Sequence, residues 1–187
     1  MLTDDLETPR LVLTCLSESD ADEAYRGWLA DPEVNRYLES RFSEPTIESV
    51  RMFVRDVRES THSYLFGMVV KETGRRCGNI KLGPVSSAHS TGVIGLMIGD
   101  RTAWGKGYGS EAIRAVTDWA FESLGLAKLT AGSYQVNGGS VGAFLKCGYE
   151  IEGVQRSQVL LDTGDRDDVV LLGLTRSQHN AAIGAAQ

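Results

Sequence analysis

Residues Ala103 to Ala112 read Ala-Trp-Gly-Lys-Gly-Tyr-Gly-Ser-Glu-Ala, with glycines at the alternate positions 105, 107 and 109. A glycine backbone turns sharply and brings its N–H groups close to a ligand. The segment lies between a strand-like run, Val93 to Ile98, and a helix-like run in which Ile113, Val116, Ala120 and Leu124 recur at helical spacing. A helix start offers unpaired N–H donors and the positive end of a dipole. The chemistry this permits is anion binding, phosphate above all. Taken by itself, the segment also fits a glycine-rich surface turn. A P-loop would need Ser or Thr after the Gly-Lys pair, and Gly107 follows Lys106. Gly107-x-Gly109-x-x-Ala112 matches a loosened dinucleotide fingerprint. The next strand-like run, Lys128 to Ser133, ends in Tyr134 and Gln135, not in the acid that fingerprint calls for.

Several further elements must position this loop. Arg10 to Leu16 alternates as a strand, and Ser17, Ser19 and Asp20 supply caps for a helix through Ala24 and Tyr25 to Leu29. Asp31-Pro32 breaks that helix. Pro45 and Thr46 open a second one, with Ile47, Val50, Val54 and Val57 on one face. Strands are expected at Tyr64 to Val70 and Cys77 to Leu82, with Pro84 to Gly92 a loop carrying His89. After the glycine loop and its helix come strand Lys128 to Ser133 and a short helix, Ser140 to Lys146, ended by Gly148. Strands Tyr149 to Val154 and Asp168 to Leu174 follow, joined through the turn Thr163-Gly164-Asp165. The order β-αα-βββ-α-β-α-ββ predicts a single α/β (α+β) domain, not a regular βαβ array.

The 187 residues are enough for one domain with a substantial core. Apolar residues make up 42% and charged residues 24%, as in a soluble globular protein. A net charge of -6 argues against nucleic-acid binding and favours a neutral or cationic partner. Cys15, Cys77 and Cys147 are odd in number and far apart. They suggest neither a disulfide framework nor a metal site, so a reducing cytoplasm is expected. The N-terminus Met-Leu-Thr-Asp-Asp lacks a hydrophobic signal core, and no run approaches a membrane span. The tail after Gln178 is low in information.

Five stretches in order resemble the GNAT superfamily of acyl-CoA-dependent N-acetyltransferases, and its ribosomal-protein alanine acetyltransferase branch in particular. They are Pro9-Arg10-Leu11-Val12-Leu13; Asp31-Pro32-Glu33-Val34 with Tyr37-Leu38; Trp104 to Gly109 with Glu111-Ala112; Asn137-x-x-Ser140 with Lys146-x-Gly148-Tyr149 and Glu152-Gly153; and Gly164-x-x-x-Asp168. The resemblance covers about residues 8 to 175. It implies a mostly antiparallel mixed sheet of about seven strands, flanked by helices and splayed between strands 4 and 5. The pantetheine arm of acetyl-CoA would lie in the splay against Met97, Ile98 and Gly99. The pyrophosphate would meet the amides of Gly105, Lys106, Gly107, Tyr108, Gly109 and Ser110, with Trp104, Asn137 and Ser140 also among the cofactor-binding residues. Trp104 stands where the wider superfamily has Gln or Arg. Arg101 and Lys106 could add charge or be solvated, and Glu111 is read as stabilising the helix N-terminus.

Acetyl transfer requires a neutral amine, a stabilised oxyanion and a stabilised leaving thiolate. The resemblance implies a backbone N–H near Ile98 for the oxyanion. Many members protonate the thiolate with a Tyr four residues before the helix-ending glycine, a place held here by Phe144. Ser140 is the substitute this branch suggests, and it reads equally as an N-cap. Related polyamine acetyltransferases carry an acid four residues after a loop His, whereas Val93 follows His89 at that spacing. His89 itself could accept a proton, or it could be a surface residue. Tyr134 and Asp168 point to the same neighbourhood by analogy, and for Asp168 a structural hydrogen bond in the last hairpin is expected. The expected partners are acetyl-CoA and a primary amine, with no metal, nucleic acid or membrane; a homodimer is left open. Cys77 to Pro84, His89 and Ile94 to Asp100 resemble acetyltransferases of surface-sugar pathways, so a small amine such as an amino sugar ranks first. A protein N-terminus, a polyamine and a non-catalytic acyl-CoA sensor are the alternatives.

Overall fold

The eight strands are β1 (Leu6–Glu7), β2 (Leu11–Cys15), β3 (Tyr64–Val70), β4 (Arg75–Ser86), β5 (Thr91–Ile98), β6 (Lys128–Tyr134), β7 (Glu150–Leu160) and β8 (Arg166–Thr175). In this computed structural model, which describes residues 4–185, they form one sheet of order β1-β2-β3-β4-β5-β6-β8-β7. Every neighbouring pair is antiparallel except β5 with β6, which is parallel. The strand beyond the expected seven is the two-residue β1.

Helices cover both faces. Helix α4 (Tyr108–Glu122) buries Ala112, Ile113, Val116 and Ala120 against one face, where α5 (Gly138–Leu145) adds Phe144. On the other face, α1 (Glu23–Ala30) and α3 (Ile47–Glu59) form a second core. Val50, Val54 and Val57 of α3 meet Leu16, Tyr25 and Leu65 there. The i, i+4, i+7 spacing of those valines is what makes one apolar helix face. Thr46 accepts from the Ser49 amide at the start of α3, as Pro45-Thr46 predicts. Between α1 and α3, Asp31 closes the first helix and caps the four-residue α2 (Pro32–Asn35), with Pro32 at its first position.

Three expectations are corrected. Pro84 to Gly92 is not a loop: β4 runs on to Ser86, and Val85 and Ser86 pair with Gly92 and Thr91. Pro84 has no N–H to give a ladder, and it sits where the register shifts between Leu82 and Val85. Ser17 caps a separate 3-10 turn, Glu18–Asp20, while Asp22 caps α1 by accepting from the Tyr25 amide. The tail forms α6 (Arg176–Ala185), started by a reciprocal cap in which the Gln178 side chain accepts from the Thr175 amide and the Thr175 hydroxyl from that of Gln178. Met1 to Thr3, in the stretch read as lacking a signal core, lie outside the described residues. Among those described, no helix is long and apolar enough to cross a membrane, and the three cysteines are free.

Candidate active site

Strands β5 and β6 pair only from Thr91 to Val93, against Lys128 to Thr130. Beyond that rung they diverge. The Gly99 amide donates to the Cys77 carbonyl at 2.9 Å. Antiparallel alternation therefore turns the peptide groups of Met97 towards β4, and those of Leu96 and Ile98 towards the gap. The Ile98 carbonyl is already taken, because the Trp104 indole N–H donates to it at 2.9 Å. What β5 leaves open to a ligand at this end is the Ile98 N–H and both groups of Leu96. These open groups overlap the expected Met97–Gly99 stretch at Ile98 and extend it to Leu96. Gly99 has a packing role: a Cβ there would collide with the Trp28 indole.

The glycine loop sits directly after this edge. Asp100 caps the short turn Arg101–Ala103, and Gly107 is the N-cap of α4 with φ +82°. That left-handed conformation suits glycine and tips the first amides of the helix outward. The loop is tied down by Arg10, whose guanidinium donates to the Lys106 carbonyl at 2.9 Å and to Glu111 Oε2 at 2.7 Å. Glu111 Oε1 also accepts from the Arg10 amide and the Thr8 hydroxyl. Burial pushes the Glu111 carboxyl up, but these donors outweigh it and hold it below its ordinary value. Glu111 thus does more than stabilise a helix end; it clasps the β1–β2 turn to the loop.

The gap opens into two cavities. One, of about 570 Å³, is lined by Met97, Ile98, Trp104, Gly105, Gly107, Tyr108, Gly109, Ser110, Asn137 and Ser140 among others. Of the residues expected to hold acetyl-CoA, only Gly99 and Lys106 are missing from that wall. Arg36 and Lys146 supply the wall's cations in place of Lys106. The second cavity, of about 610 Å³, lies on the α1 and α3 side of the sheet. Tyr37, Leu38, Leu96, Met97, Asn137 and Ser140 line both, so the cavities meet at the splay.

Ser140 sits at this junction. Asn137, not Ser140, is the N-cap of α5: its side-chain oxygen accepts from the Ser140 amide at 3.2 Å. The capping alternative for the Ser140 hydroxyl therefore falls. Phe144 is buried and packs edge-on to Tyr149. His89 lies on the exposed turn between β4 and β5 and lines neither cavity. The strand that follows it spans roughly 23 Å before reaching Ile98. Asp168 makes the hairpin hydrogen bond expected of it, accepting from the Ser157 amide at 2.7 Å.

The second cavity contains residues that no motif singles out. Glu39, in a 3-10 turn (Glu39–Phe42), accepts from the Tyr134 hydroxyl at 2.7 Å. Burial, then that carboxylate, pushes the Tyr134 phenol up to about 12. Tyr37 packs edge-on to the Tyr134 ring, and Arg41 ties the turn to β7 through the Leu160 carbonyl. Asn79 and Lys81 of β4 and Gln155 and Gln158 of β7 complete the polar lining. The signal available for Glu39 was its place just after Tyr37-Leu38 in the helix-breaking segment; nothing local linked it to Tyr134, 95 residues away.

Residues 10–150 match the family model for the acetyltransferase (GNAT) domain. The chain is 32% identical over 177 residues to the uncharacterized N-acetyltransferase YoaA of Bacillus subtilis, covering 93% of this chain and 98% of the relative. It is 29% identical over 153 residues to the uncharacterized N-acetyltransferase p20 of Bacillus licheniformis, covering 81% and 85%. Its fold superposes on spermidine N-acetyltransferase from Vibrio cholerae, solved with CoA and spermine. The TM-score is 0.81 at 18% identity, over 92% of this chain and 99% of that one. A family model spanning most of the chain, together with a splayed sheet that opens beside a glycine loop, places this chain in the GNAT family of acyl-CoA-dependent N-acetyltransferases.

Proposed function

We propose that the chain moves the acetyl group of acetyl-CoA to the primary amine of a small hydroxyl-rich metabolite, an amino sugar in particular. The observation that carries this is the lining of the second cavity. Tyr37, Ser40, Asn79, Ser133, Gln155 and Gln158 are neutral hydrogen-bonding groups, and Glu39 is the one carboxylate among the lining residues. Such a wall suits hydroxyl groups, and its volume suits a small molecule. A polyamine is the second reading, since a structural neighbour was solved with spermine. A polycation needs several carboxylates, and this wall offers one, together with Lys81.

In this reading the amides behind Gly105 and Gly107 hold the pyrophosphate, and the Leu96–Ile98 edge pairs with the pantetheine arm. The amine enters from the second cavity with Glu39 attracting its ammonium form. It attacks once its proton has passed to water. The Ile98 N–H faces the oxyanion that develops on the thioester carbonyl. The Ser140 hydroxyl, which makes no hydrogen bond of its own among the described residues, donates to the departing thiolate. No step uses His89. The free thiols of Cys15, Cys77 and Cys147 support a reducing, cytoplasmic setting.

The test is acetyl-CoA turnover at pH 7 over glucosamine, a nucleotide-linked amino sugar, spermidine and N-terminal peptides. The amino sugars should show the highest kcat/KM. Efficient spermidine acetylation with little turnover of amino sugars overturns the assignment.

A further inference from the structure

Two polar side chains on one face of β4 lack partners that their surroundings ought to provide. Asn79 is 4% exposed, and neither its carbonyl nor its amino group meets hydrogen-bond geometry. The nearby Tyr25 hydroxyl is close enough to feel the Asn79 side chain. That influence favours the phenolate, as an amide N–H turned towards the phenol oxygen does; even with one N–H so placed, the second N–H and the carbonyl find nothing. A buried amide left unsatisfied is costly, and native proteins seldom carry one without a reason. Two residues on, and therefore on the same face about 7 Å away, Lys81 is half-buried with no ion pair among the described residues. Both line the second cavity.

The neighbouring strand leaves room between them and the splay. Gly95 of β5 stands opposite Lys81, and Met97 opposite Asn79. A Cβ on Gly95 would meet no atom within 4 Å, so the cavity wall is recessed there. A cation, a buried N–H donor and an open recess together fit an oxyanion group.

We propose that Asn79, Lys81 and the recess at Gly95 form a subsite for a phosphate or carboxylate group carried by the amine acceptor. This rests on the second cavity being the acceptor site. Met97 also lines the cavity assigned to acetyl-CoA, so the subsite is about one strand spacing from the junction. The anionic group then lies roughly 5–10 Å from the reacting nitrogen. With Glu39 drawing the ammonium end and Lys81 the anionic end, the acceptor is a short molecule with both charges. That pairing also explains why a cation is present in a cavity that must admit an amine.

Direct binding is read in CoA-saturated protein, where the pyrophosphate site is filled. Inorganic phosphate and acetate are titrated separately while the Asn79 side-chain amide signals are followed by NMR. We expect saturable shifts, a Kd raised at least tenfold by Lys81→Met, and no binding in Gly95→Val, whose side chain has space to fold into the recess. The tighter of the two anions identifies the natural group. The absence of a saturable shift with either anion, or an unchanged Kd in Lys81→Met, overturns the subsite. Turnover then separates it from the amino-sugar assignment, using glucosamine against glucosamine 6-phosphate and glycinamide against glycine. Preference for the charged amino acid, lost in Lys81→Met, with no sugar turned over, keeps the subsite and removes the amino sugar. Sugar turnover with no preference for the phosphorylated form, and no NMR shift, does the reverse.

Discussion

Arg10 and Glu111 are 101 residues apart in the chain, yet the Arg10 guanidinium lies 2.6 Å from Glu111 Oε2 and its amide 2.8 Å from Oε1. The same guanidinium stacks on the Tyr108 ring at 4.9 Å and holds the Lys106 carbonyl. The edge of the sheet thereby fixes the shape of the loop assigned to phosphate. Arginine does this where lysine could not, because its planar fork serves several acceptors at once.

Removing the clasp should loosen the loop without unfolding the domain. Arg10→Met is expected to weaken acetyl-CoA binding by about 1 kcal/mol, roughly fivefold in Kd, measured by calorimetry. Glu111 also contributes to acid stability. Its carboxyl titrates lower folded than unfolded, so its charge favours the folded state above its ordinary value near 4.5. That contribution is lost as pH falls from there through the depressed folded value. Urea midpoints of Glu111→Gln should therefore change less than those of the parent as pH falls below 4.5; parallel curves would show that the clasp carries no linkage.

Gly107 holds φ +82° at the start of α4, a conformation that β-branched residues rarely adopt. Gly107→Val should raise the acetyl-CoA Kd at least tenfold, about 1.4 kcal/mol, with the sheet intact by circular dichroism. Unchanged affinity in a folded variant would move the pyrophosphate elsewhere.

Capping and chemistry at α5 fall on different residues, so they can be separated. Asn137→Ala should cost about 1 kcal/mol of stability. Ser140→Ala should leave stability nearly unchanged and lower kcat by roughly 10- to 1000-fold, the range of general-acid and electrostatic effects. A normal kcat in Ser140→Ala would leave the thiolate to solvent.

The Glu39–Tyr134 pair predicts how activity follows pH. With its phenol pushed up to about 12, Tyr134 stays protonated across any practical assay. kcat/KM should then rise towards the acceptor amine's own pKa, near 8 for a weakly basic amine, with no further break from Tyr134. Glu39→Gln should raise the acceptor KM about tenfold, as expected for a lost charge contact. His89→Ala should cost less than about tenfold, below a general base's usual share. A large His89 effect would require a conformation in which its turn reaches the junction.

Features that depend on near neighbours were legible in the amino-acid order. Glycines 105 and 107 turn where a loop must turn, Thr46 caps because α3 begins beside it, and the alternation of Leu11 and Leu13 makes a strand whatever lies beyond. Five such local patterns in order were enough to read the fold and the loop. The tertiary structure decided which groups are still available once packing has used the rest. The Trp104 indole occupies the Ile98 carbonyl, the Trp28 ring claims Gly99, and Arg10 takes over the Lys106 carbonyl, each through a contact that spacing does not encode. The acceptor side was least legible for the same reason. Glu39, Asn79, Lys81 and Tyr134 come from three separate elements, and their chemistry arises only where β5 and β6 part.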